Sequence, residues 1–257
     1  MNYADLLLPE PGQYINEKQL ADTVLGELRS HFHIQREVSG RYPTGKALRL
    51  DAVLRPRDPG PWFDDEPVFG VEFKLPSRTN GYRDDAAQIR QAADYTYCEF
   101  DGYGRLGIFL CPSPVLGKLQ SAQDVMTRHT NRVAEEGTIE YHRKWVASFW
   151  RASGRVFTDA ELDAEARTAR WKARKRLETI EAGARAEGFS SATHREQHRL
   201  LDQAGFLVRM MGGFGVGELM LHRTFGWTLL RSGDRLWSQL GEPVRRPTSL
   251  RPRLGSQ

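Results

Sequence analysis

Two short apolar segments carry charged residues at positions that limit what this chain can fold into. The first is 48–54, with Asp51 at its centre, and the second is 68–76, which contains Glu72 and Lys74. Both are rich in Val, Leu and Phe and are bounded by turn residues, a pattern typical of β-strands. Because side chains alternate along a strand, Glu72 and Lys74 share one face. The pattern predicts carboxylates from two strands beside an ammonium group, a donor set that suits Mg²⁺ and attack on a phosphodiester.

At these residues the sequence resembles the PD-(D/E)xK nuclease superfamily, which has the restriction-endonuclease-like fold. The matched motif is Asp51, followed about 20 residues later by Glu72-x-Lys74, and Leu50 stands where the family name has proline. The resemblance covers residues 16–115 and implies an α/β fold with a mixed sheet flanked by helices. It also implies that Asp51 and Glu72 hold Mg²⁺, for which Mn²⁺ would substitute, and that Lys74 positions and activates the attacking water.

A helix is predicted before the first strand, from Asn16 to Phe32. Asn16 is a suitable N-cap, and the helix has apolar residues four apart that form one buried face: Leu20, Val24 and Leu28. Glu27 lies beside that face. Because members of the superfamily often carry an acidic residue on this helix, the resemblance implies that Glu27 is a third metal ligand. An exposed helical glutamate with no such role is the alternative.

A second helix is predicted after Lys74, from Asp84 to Glu99. Its segment 88–95 resembles the Q-x-x-x-Y helix that flanks the active site in the superfamily, which makes Gln88 and Gln91 candidate site residues. An ordinary solvated helix face is the alternative for both glutamines. The apolar run 105–111 then predicts a buried strand. For Glu72 and Lys74, a solvent-facing pair on an edge strand is the alternative; Asp51 and the order helix, strand, strand, helix, strand favour a site.

Charge is divided unevenly along the chain. Residues 1–140 contain 16 Lys and Arg against 21 Asp and Glu, whereas residues 141–257 contain 21 against 12. Such a split predicts that the second part binds a polyanion. A capping box at 158–161 predicts a long helix to about Ala186. Its middle carries six basic residues suited to DNA phosphates, with Trp171 between them as the expected core anchor: Arg167, Arg170, Lys172, Arg174, Lys175 and Arg176.

From this helix onward, the order helix, helix, hairpin, helix resembles a winged-helix domain over residues 160–240. It predicts a helix over 190–204, a hairpin around Phe225–Gly226 and a last short helix through Leu240. The expected organisation is therefore a nuclease domain over 1–140, a basic, mainly helical, winged-helix-like DNA-binding domain over 141–242, and a mobile tail over 243–257.

Composition sets limits on location. Cys98 and Cys111 have no metal-ligand spacing and are expected to be buried free thiols, as in a reducing cytoplasm. No run of 18 apolar residues occurs, so no membrane partner is expected, and residues 1–11 lack the basic start of a signal peptide.

The function predicted from these features is metal-dependent hydrolysis of phosphodiester bonds in DNA, in restriction, repair, phage or transposon-end cleavage. DNA is the expected partner, and a homodimer or a nucleoprotein partner is compatible with the sequence. A non-catalytic DNA-binding, assembly or adaptor protein on a nuclease scaffold is the alternative.

Overall fold

The structure, a computed structural model, describes residues 6–7, 13–60, 62, 64–75, 82–232, 234–240 and 250; within these, the side chains of 82–83 and 126–136 are not described. The described part is an α/β protein with a mixed sheet of nine strands and with six helices.

Strands and helices follow one another in the order β1, α1, β2, β3, β4, α2, β5, β6, α3, α4, α5, α6, β7, β8, β9. The strands are β1 Leu6–Leu7, β2 Phe32–Arg41, β3 Ala47–Pro56, β4 Phe69–Phe73, β5 Glu99–Phe100, β6 Gly107–Cys111, β7 Gly217–His222, β8 Gly226–Arg231 and β9 Asp234–Ser238. The helices are α1 Glu17–Leu28, α2 Tyr82–Thr96, α3 Pro114–Glu136, α4 Ile139–Ala152, α5 Asp159–Ala186 and α6 Ala192–Phe214.

The sheet runs in the order β5-β2-β3-β4-β6-β7-β8-β9, and β1 also pairs with β7. The pairs β4–β6 and β6–β7 are parallel, and all other described pairs are antiparallel. Parallel neighbours require crossover connections, which is why α2 lies between β4 and β6.

Helix α1 begins where the sequence predicts. The Asn16 side chain accepts a hydrogen bond from the backbone N–H of Gln19 at 2.8 Å, and the Gln19 side chain accepts one from the N–H of Ile15 at 2.7 Å. These contacts satisfy N–H groups that have no partner inside the helix. The predicted apolar face of α1 is buried against one face of the sheet, together with Val71 and Phe73 of β4.

The other face of the sheet is covered by α2 and by the second part of α6. Ile89 of α2 and Leu207 of α6 pack there with Ile108 and Leu110 of β6. Strand β6 is thus buried on both faces, as expected for a parallel strand. Close packing also explains Gly217 at the start of β7, because a Cβ there would lie 2.3 Å from the Phe109 ring.

The chain divides into two compact units. Unit 1 comprises residues 1–119 and 203–257, and unit 2 comprises residues 120–202. The sequence places a boundary near residue 140 instead. The difference arises because β7, β8 and β9 continue the sheet next to β6, with Phe109 opposite Gly217, so they belong with the N-terminal part of the chain.

The predicted hairpin is confirmed as β7 and β8, joined by a turn in which Gly226 has a φ of +63°. Its assignment to a winged-helix-like domain is wrong, because both strands are part of the mixed sheet. The predicted last helix is also wrong: 234–238 is strand β9, paired with β8. The predicted tail over 243–257 lies outside the described residues except Leu250, which is buried and donates its N–H to Asp64 at 2.5 Å.

Helix α6 continues ten residues beyond its predicted end at 204. Its buried stripe continues through Leu207 and Met211, and this packing outweighs the helix-weakening effect of Gly205. The helix ends at Gly215, which has a φ of +68° and is followed by a hydrogen bond from Val216 N–H to Met211 O. This is a Schellman-type ending, in which glycine is preferred for its positive φ.

Unit 2 is helical throughout its regular elements. The segment 138–157, for which the sequence leaves helix and strand open, forms α4 after an N-cap at Thr138. Helix α5 begins at the predicted capping box, in which Thr158 and Glu161 satisfy each other's backbone N–H groups. Val146 and Trp150 of α4 pack against Leu162 of α5 in a small core.

No described helix is long and apolar enough to cross a lipid bilayer. Cys98 and Cys111 are buried free thiols, as predicted.

Candidate functional site

Strands β3 and β4 bring the predicted acidic residues together. The pairing of β3 with β4 ends at Ala52 and Val71. Asp51 and Glu72 are the next residues on the two strands beyond this pair. Asp51 Oδ2 accepts a hydrogen bond from the backbone N–H of Phe73 at 2.8 Å. The Asp51 carboxylate therefore lies against the backbone that joins Glu72 to Lys74.

The ladder between β2 and β3 is interrupted at Asp51. On either side of this position, Arg36 pairs with Ala52 and Val38 pairs with Leu50. Glu37, which lies opposite Asp51, has a φ of +52°. A non-glycine residue with positive φ is uncommon and is often associated with functional sites. Leu50 and Ala52 would share one face of a regular strand, yet they belong to cores on opposite faces. The distortion is thus centred on the residue whose carboxylate reaches Phe73.

Glu72 is buried, with only 4% of its surface exposed. Its Oε1 accepts hydrogen bonds from Lys74 Nζ at 2.9 Å and from Gln91 Nε2 at 3.1 Å. Its Oε2 is also buried and has no hydrogen-bond partner among the described residues. A buried carboxylate oxygen without a partner is costly, and such groups are found where a ligand or ion completes the site.

The pKa of Glu72 is raised to about 7, first by burial and then by the negative charge of Asp51, against the opposing effect of Lys74. For Lys74, burial alone lowers the pKa, but the hydrogen bond to Glu72 and the negative charges of Glu72, Glu17 and Asp51 outweigh burial, so the pKa is raised overall. Lys74 is therefore a cation at neutral pH, and it acts as a donor and a positive charge rather than as a base.

Helix α2 contributes Gln91 to this cluster. Gln91 Nε2 also donates to the Tyr95 hydroxyl at 2.8 Å, and the Tyr95 ring lies edge-on to Tyr42, with centroids 6.1 Å apart. Gln88, one turn earlier, is half-buried, and no hydrogen bond joins it to Glu72 in the described structure. Of the two glutamines predicted from the sequence, the structure brings only Gln91 to the carboxylate.

Helix α1 contributes a different glutamate from the one predicted. Glu27 Oε2 accepts a hydrogen bond from Trp227 Nε1 at 2.7 Å, and Glu27 is not among the groups with the largest effects on the pKa of Glu72. Glu17 is among them, and its Oε1 lies 3.4 Å from the backbone nitrogen of Leu75, just after Lys74. The two glutamates are about 15 Å apart along the helix axis. Sequence reasoning misses Glu17, because an acidic residue in the first turn is ordinarily explained by the helix dipole.

The residues present fit a hard divalent cation in donor type. No group of three or more His, Cys, Asp or Glu is placed to hold a metal ion within the described ranges. Mg²⁺ sites, however, commonly use one or two carboxylates and complete their coordination with water. Asp51 and Glu72 supply such carboxylates, and the unpartnered Oε2 of Glu72 is the atom that a cation would satisfy.

The basic segment of α5 is exposed to solvent. Its six predicted DNA-binding residues are all exposed: Arg167, Arg170, Lys172, Arg174, Lys175 and Arg176. At about 100° per residue they spread over more than one side of the helix. Arg174 and Lys175 form ion pairs with Glu178 at 3.1 and 2.9 Å. Trp171 is 60% exposed, so its expected role as a core anchor is wrong.

No protein-family model matches the sequence, and no match to it was found among curated proteins or among solved structures. Function is therefore inferred from the residues themselves.

Proposed function

We propose that this protein is a Mg²⁺-dependent deoxyribonuclease that hydrolyses phosphodiester bonds, built on a restriction-endonuclease-like variant of the mixed sheet. Asp51 and Glu72 would hold the metal ion, Lys74 would act on water and phosphate, and the basic segment of α5 would contact DNA. The observation that carries the proposal is the buried Glu72 carboxylate, which has one oxygen held by Lys74 and Gln91 and the other without a partner among the described residues.

Electrostatics supports a cation at this position. Among the described residues, the negative charges of Asp51 and Glu17 raise the pKa of Glu72, and the Lys74 ammonium opposes them. Burial is the largest cause of the raised pKa of Glu72, and the two nearby carboxylates add to it. A divalent cation would reverse this balance and stabilise the ionised carboxylate. A purely structural role does not require the negative charges to be gathered around a buried group.

Each residue has a part in hydrolysis. When bound, Mg²⁺ would polarise the phosphoryl oxygens and help ionise a water. The water would give up one proton to solvent as its oxygen attacks phosphorus, one P–O ester bond would break, and the leaving oxygen would take up a proton from solvent. Lys74, protonated at neutral pH, would orient the water and stabilise the charge that develops on the phosphate. Gln91 would keep Glu72 in one orientation.

DNA binding is supported by the exposed basic segment of α5. Arg167, Arg170, Lys172 and Arg176 form no ion pair with a described carboxylate, so they are available for phosphate contacts. Neutralising phosphates releases counterions, which makes binding favourable and sensitive to salt.

A non-catalytic DNA-binding or assembly protein on the same scaffold is the second candidate. The observation that favours it is the 2.9 Å ion pair between Lys74 and Glu72, which partly neutralises the carboxylate without a metal ion.

Cleavage of fluorescent duplex and supercoiled plasmid tests the proposal. We expect activity with Mg²⁺ or Mn²⁺, none in EDTA, and a loss of at least about 1,000-fold in Asp51→Asn and Glu72→Gln. Glu99→Gln, at an exposed position on β5, is the matched control and should keep full activity. Lys74→Ala should lower kcat by about 100- to 1,000-fold and leave DNA affinity nearly unchanged.

Full activity in Asp51→Asn or Glu72→Gln would remove these residues from the mechanism. Wild-type protein that binds DNA but cuts neither substrate with either metal would favour the non-catalytic candidate.

A further inference from the structure

Helix α4 exposes an aromatic pair. Trp145 and Phe149 are 57% and 62% exposed, and their rings are nearly parallel, with an interplanar angle of 8° and centroids 6.0 Å apart. Tyr141, one turn before Trp145, extends the same stripe and is half-buried. The near-parallel rings of Trp145 and Phe149 therefore form one exposed aromatic surface on α4.

The core of unit 2 does not use these rings. The buried side of α4 is formed by His142, Val146, Ala147 and Trp150, and Trp150 packs with Leu162 of α5. Trp145 and Phe149 lie on the flank of that buried face, next to His142, and their side chains are mostly exposed. Folding of unit 2 thus gives no reason for two large aromatic residues at these positions, and large exposed apolar groups that adjoin one another commonly mark interaction sites.

Cationic residues border the aromatic stripe. Lys144 and Arg151 are exposed and, with Ser148 between them, form the stripe next to Trp145 on the helix surface. Neither forms an ion pair with a carboxylate in the described part of the chain. Arg143, on the buried side, is paired with Asp159 and Asp163 of α5. Glu140 in the first turn is the one acidic residue of α4. The exposed face therefore combines ring surfaces with positive charge.

We propose that this face of α4 binds single-stranded nucleic acid, with unpaired bases stacked on Trp145 and Phe149 and phosphates beside Lys144 and Arg151. Open aromatic rings next to cations are the combination by which proteins hold single strands, because any base can stack on a ring and every nucleotide carries a phosphate. Duplex DNA cannot use the rings in this way, because its bases are already stacked on one another. This binding does not depend on the proposed hydrolysis or on the metal site.

A second copy of the chain or an apolar protein surface would bury the rings equally well. Positive charge at the border of the patch disfavours the first, because two identical faces would bring Lys144 and Arg151 of both copies together. The same positive charge would not strengthen binding to an apolar protein surface, whereas it complements a phosphate backbone.

The test measures affinity of the full chain in EDTA for fluorescein-labelled dT20, U20 and a 20-base-pair duplex, so cleavage plays no part. Trp145→Ala and Phe149→Ala should each weaken binding to the single strands by about 5- to 150-fold, the usual cost of removing a stacking ring. Affinity for the duplex should change less than twofold. Lys144→Gln should flatten the salt dependence of dT20 binding by about 0.7 in log–log slope. Tyr97→Ala, which removes a 47% exposed aromatic side chain in unit 1, is the matched control and should bind like wild type.

The affinities for dT20 and U20 show whether the protein prefers single-stranded DNA or single-stranded RNA. Trp145→Phe should retain part of the affinity that Trp145→Ala removes, since it keeps a ring, and circular dichroism of each variant checks folding. Unchanged single-strand affinity in folded Trp145→Ala and Phe149→Ala would overturn the proposal. A second result would also overturn it. If light scattering shows that the wild type is a dimer and Trp145→Ala a monomer, and dT20 affinity is unchanged, the occupant of this face is a second copy of the chain.

Discussion

Gln91 donates its side-chain amide to the same oxygen of Glu72 that accepts a hydrogen bond from Lys74. The distances are 3.1 Å from Gln91 and 2.9 Å from Lys74. Two donors on one oxygen fix the orientation of the carboxylate, and they leave its other oxygen, Oε2, without a partner among the described residues. The position of a bound cation would therefore depend on Gln91, which need not contact the cation itself.

Gln91→Ala should lower the cleavage rate about tenfold with little effect on DNA affinity, because a less firmly oriented Glu72 holds the metal ion less well. Increasing the Mg²⁺ concentration should restore part of the rate. Gln88→Ala, one turn earlier on the same helix, is the control and should stay within twofold of wild type. Steady-state cleavage over a series of Mg²⁺ concentrations measures both effects, and equal losses in the two variants would contradict the assignment.

The two glutamates of α1 should behave differently. Glu17→Gln should reduce metal affinity and activity by a few-fold to tenfold, because it removes a negative charge that acts on Glu72 and Lys74. Glu27→Gln should leave activity unchanged and lower the free energy of unfolding by about 1 kcal/mol, because it weakens the hydrogen bond from Trp227. Mn²⁺ titration and urea denaturation compare the two variants. An activity loss confined to Glu27→Gln would restore the ligand predicted from the sequence.

Glu72 should make the metal-free protein less stable as the pH rises. Its pKa is 4.5 in ordinary surroundings and about 7 in the folded protein. Below pH 4.5 the carboxyl group is neutral in both states and costs nothing. Between pH 4.5 and 7 it ionises more readily in the unfolded chain, so stability falls, and above pH 7 the decrease is complete.

Glu72→Gln, which stays neutral, should therefore be more stable than wild type by about 1–3 kcal/mol at pH 8 and by nearly nothing at pH 4.5. Urea denaturation in EDTA at several pH values measures this difference. A difference that is constant with pH would show that ionisation of Glu72 is not the cause. Added Mg²⁺ should stabilise wild type at pH 8 and stabilise Glu72→Gln much less, because the variant keeps only one of the two carboxylates proposed to hold the ion.

The basic segment of α5 should determine how DNA binding responds to salt. Reversal of Arg170, Lys172 and Arg174 to Glu should reduce the slope of log affinity against log salt by about 0.9 for each phosphate that is no longer neutralised. A control variant replaces Arg185, Arg195 and Arg199, also in unit 2, by Glu. Its net charge changes by the same amount, but its slope should be reduced less. Titration against a duplex at several salt concentrations makes the comparison. Equal slopes in the two variants would mean that net charge, rather than this segment, governs binding.

Local signals in the sequence predict much of this fold. Both helices with complete capping signals begin where expected, α1 after Asn16 and α5 after Thr158. Strands β3, β4 and β6 are predicted by their short apolar runs. Strand β2 is not, because most of its residues are exposed or half-buried and Glu37 breaks the alternation. Strand β9 has only five residues, too few for their pattern to distinguish a strand from the predicted short helix.

The sequence does not predict which elements pair or pack when they are far apart in the chain. The hairpin of β7 and β8 is visible from its turn at Gly226, but nothing local indicates that β7 pairs with β6. In the candidate site, strand alternation predicts that Glu72 and Lys74 share a face, whereas the distortion at Asp51 is not visible in the sequence. The choice of Glu17 over Glu27 depends on how α1 lies relative to the end of β4, which a one-dimensional pattern does not contain.

Strand β6 is synthesised long before β7, the strand with which it pairs. About a hundred residues separate the two strands in the chain, so β6 leaves the ribosome many seconds before its neighbour is made. During that interval the residues of unit 2, whose helices pack locally, can already fold. Until β7 arrives, β6 has one unpaired edge of apolar residues, which is prone to aggregation. A shortened chain that stops before β7 would keep that edge permanently, so we expect it to be insoluble rather than to form a small independent domain.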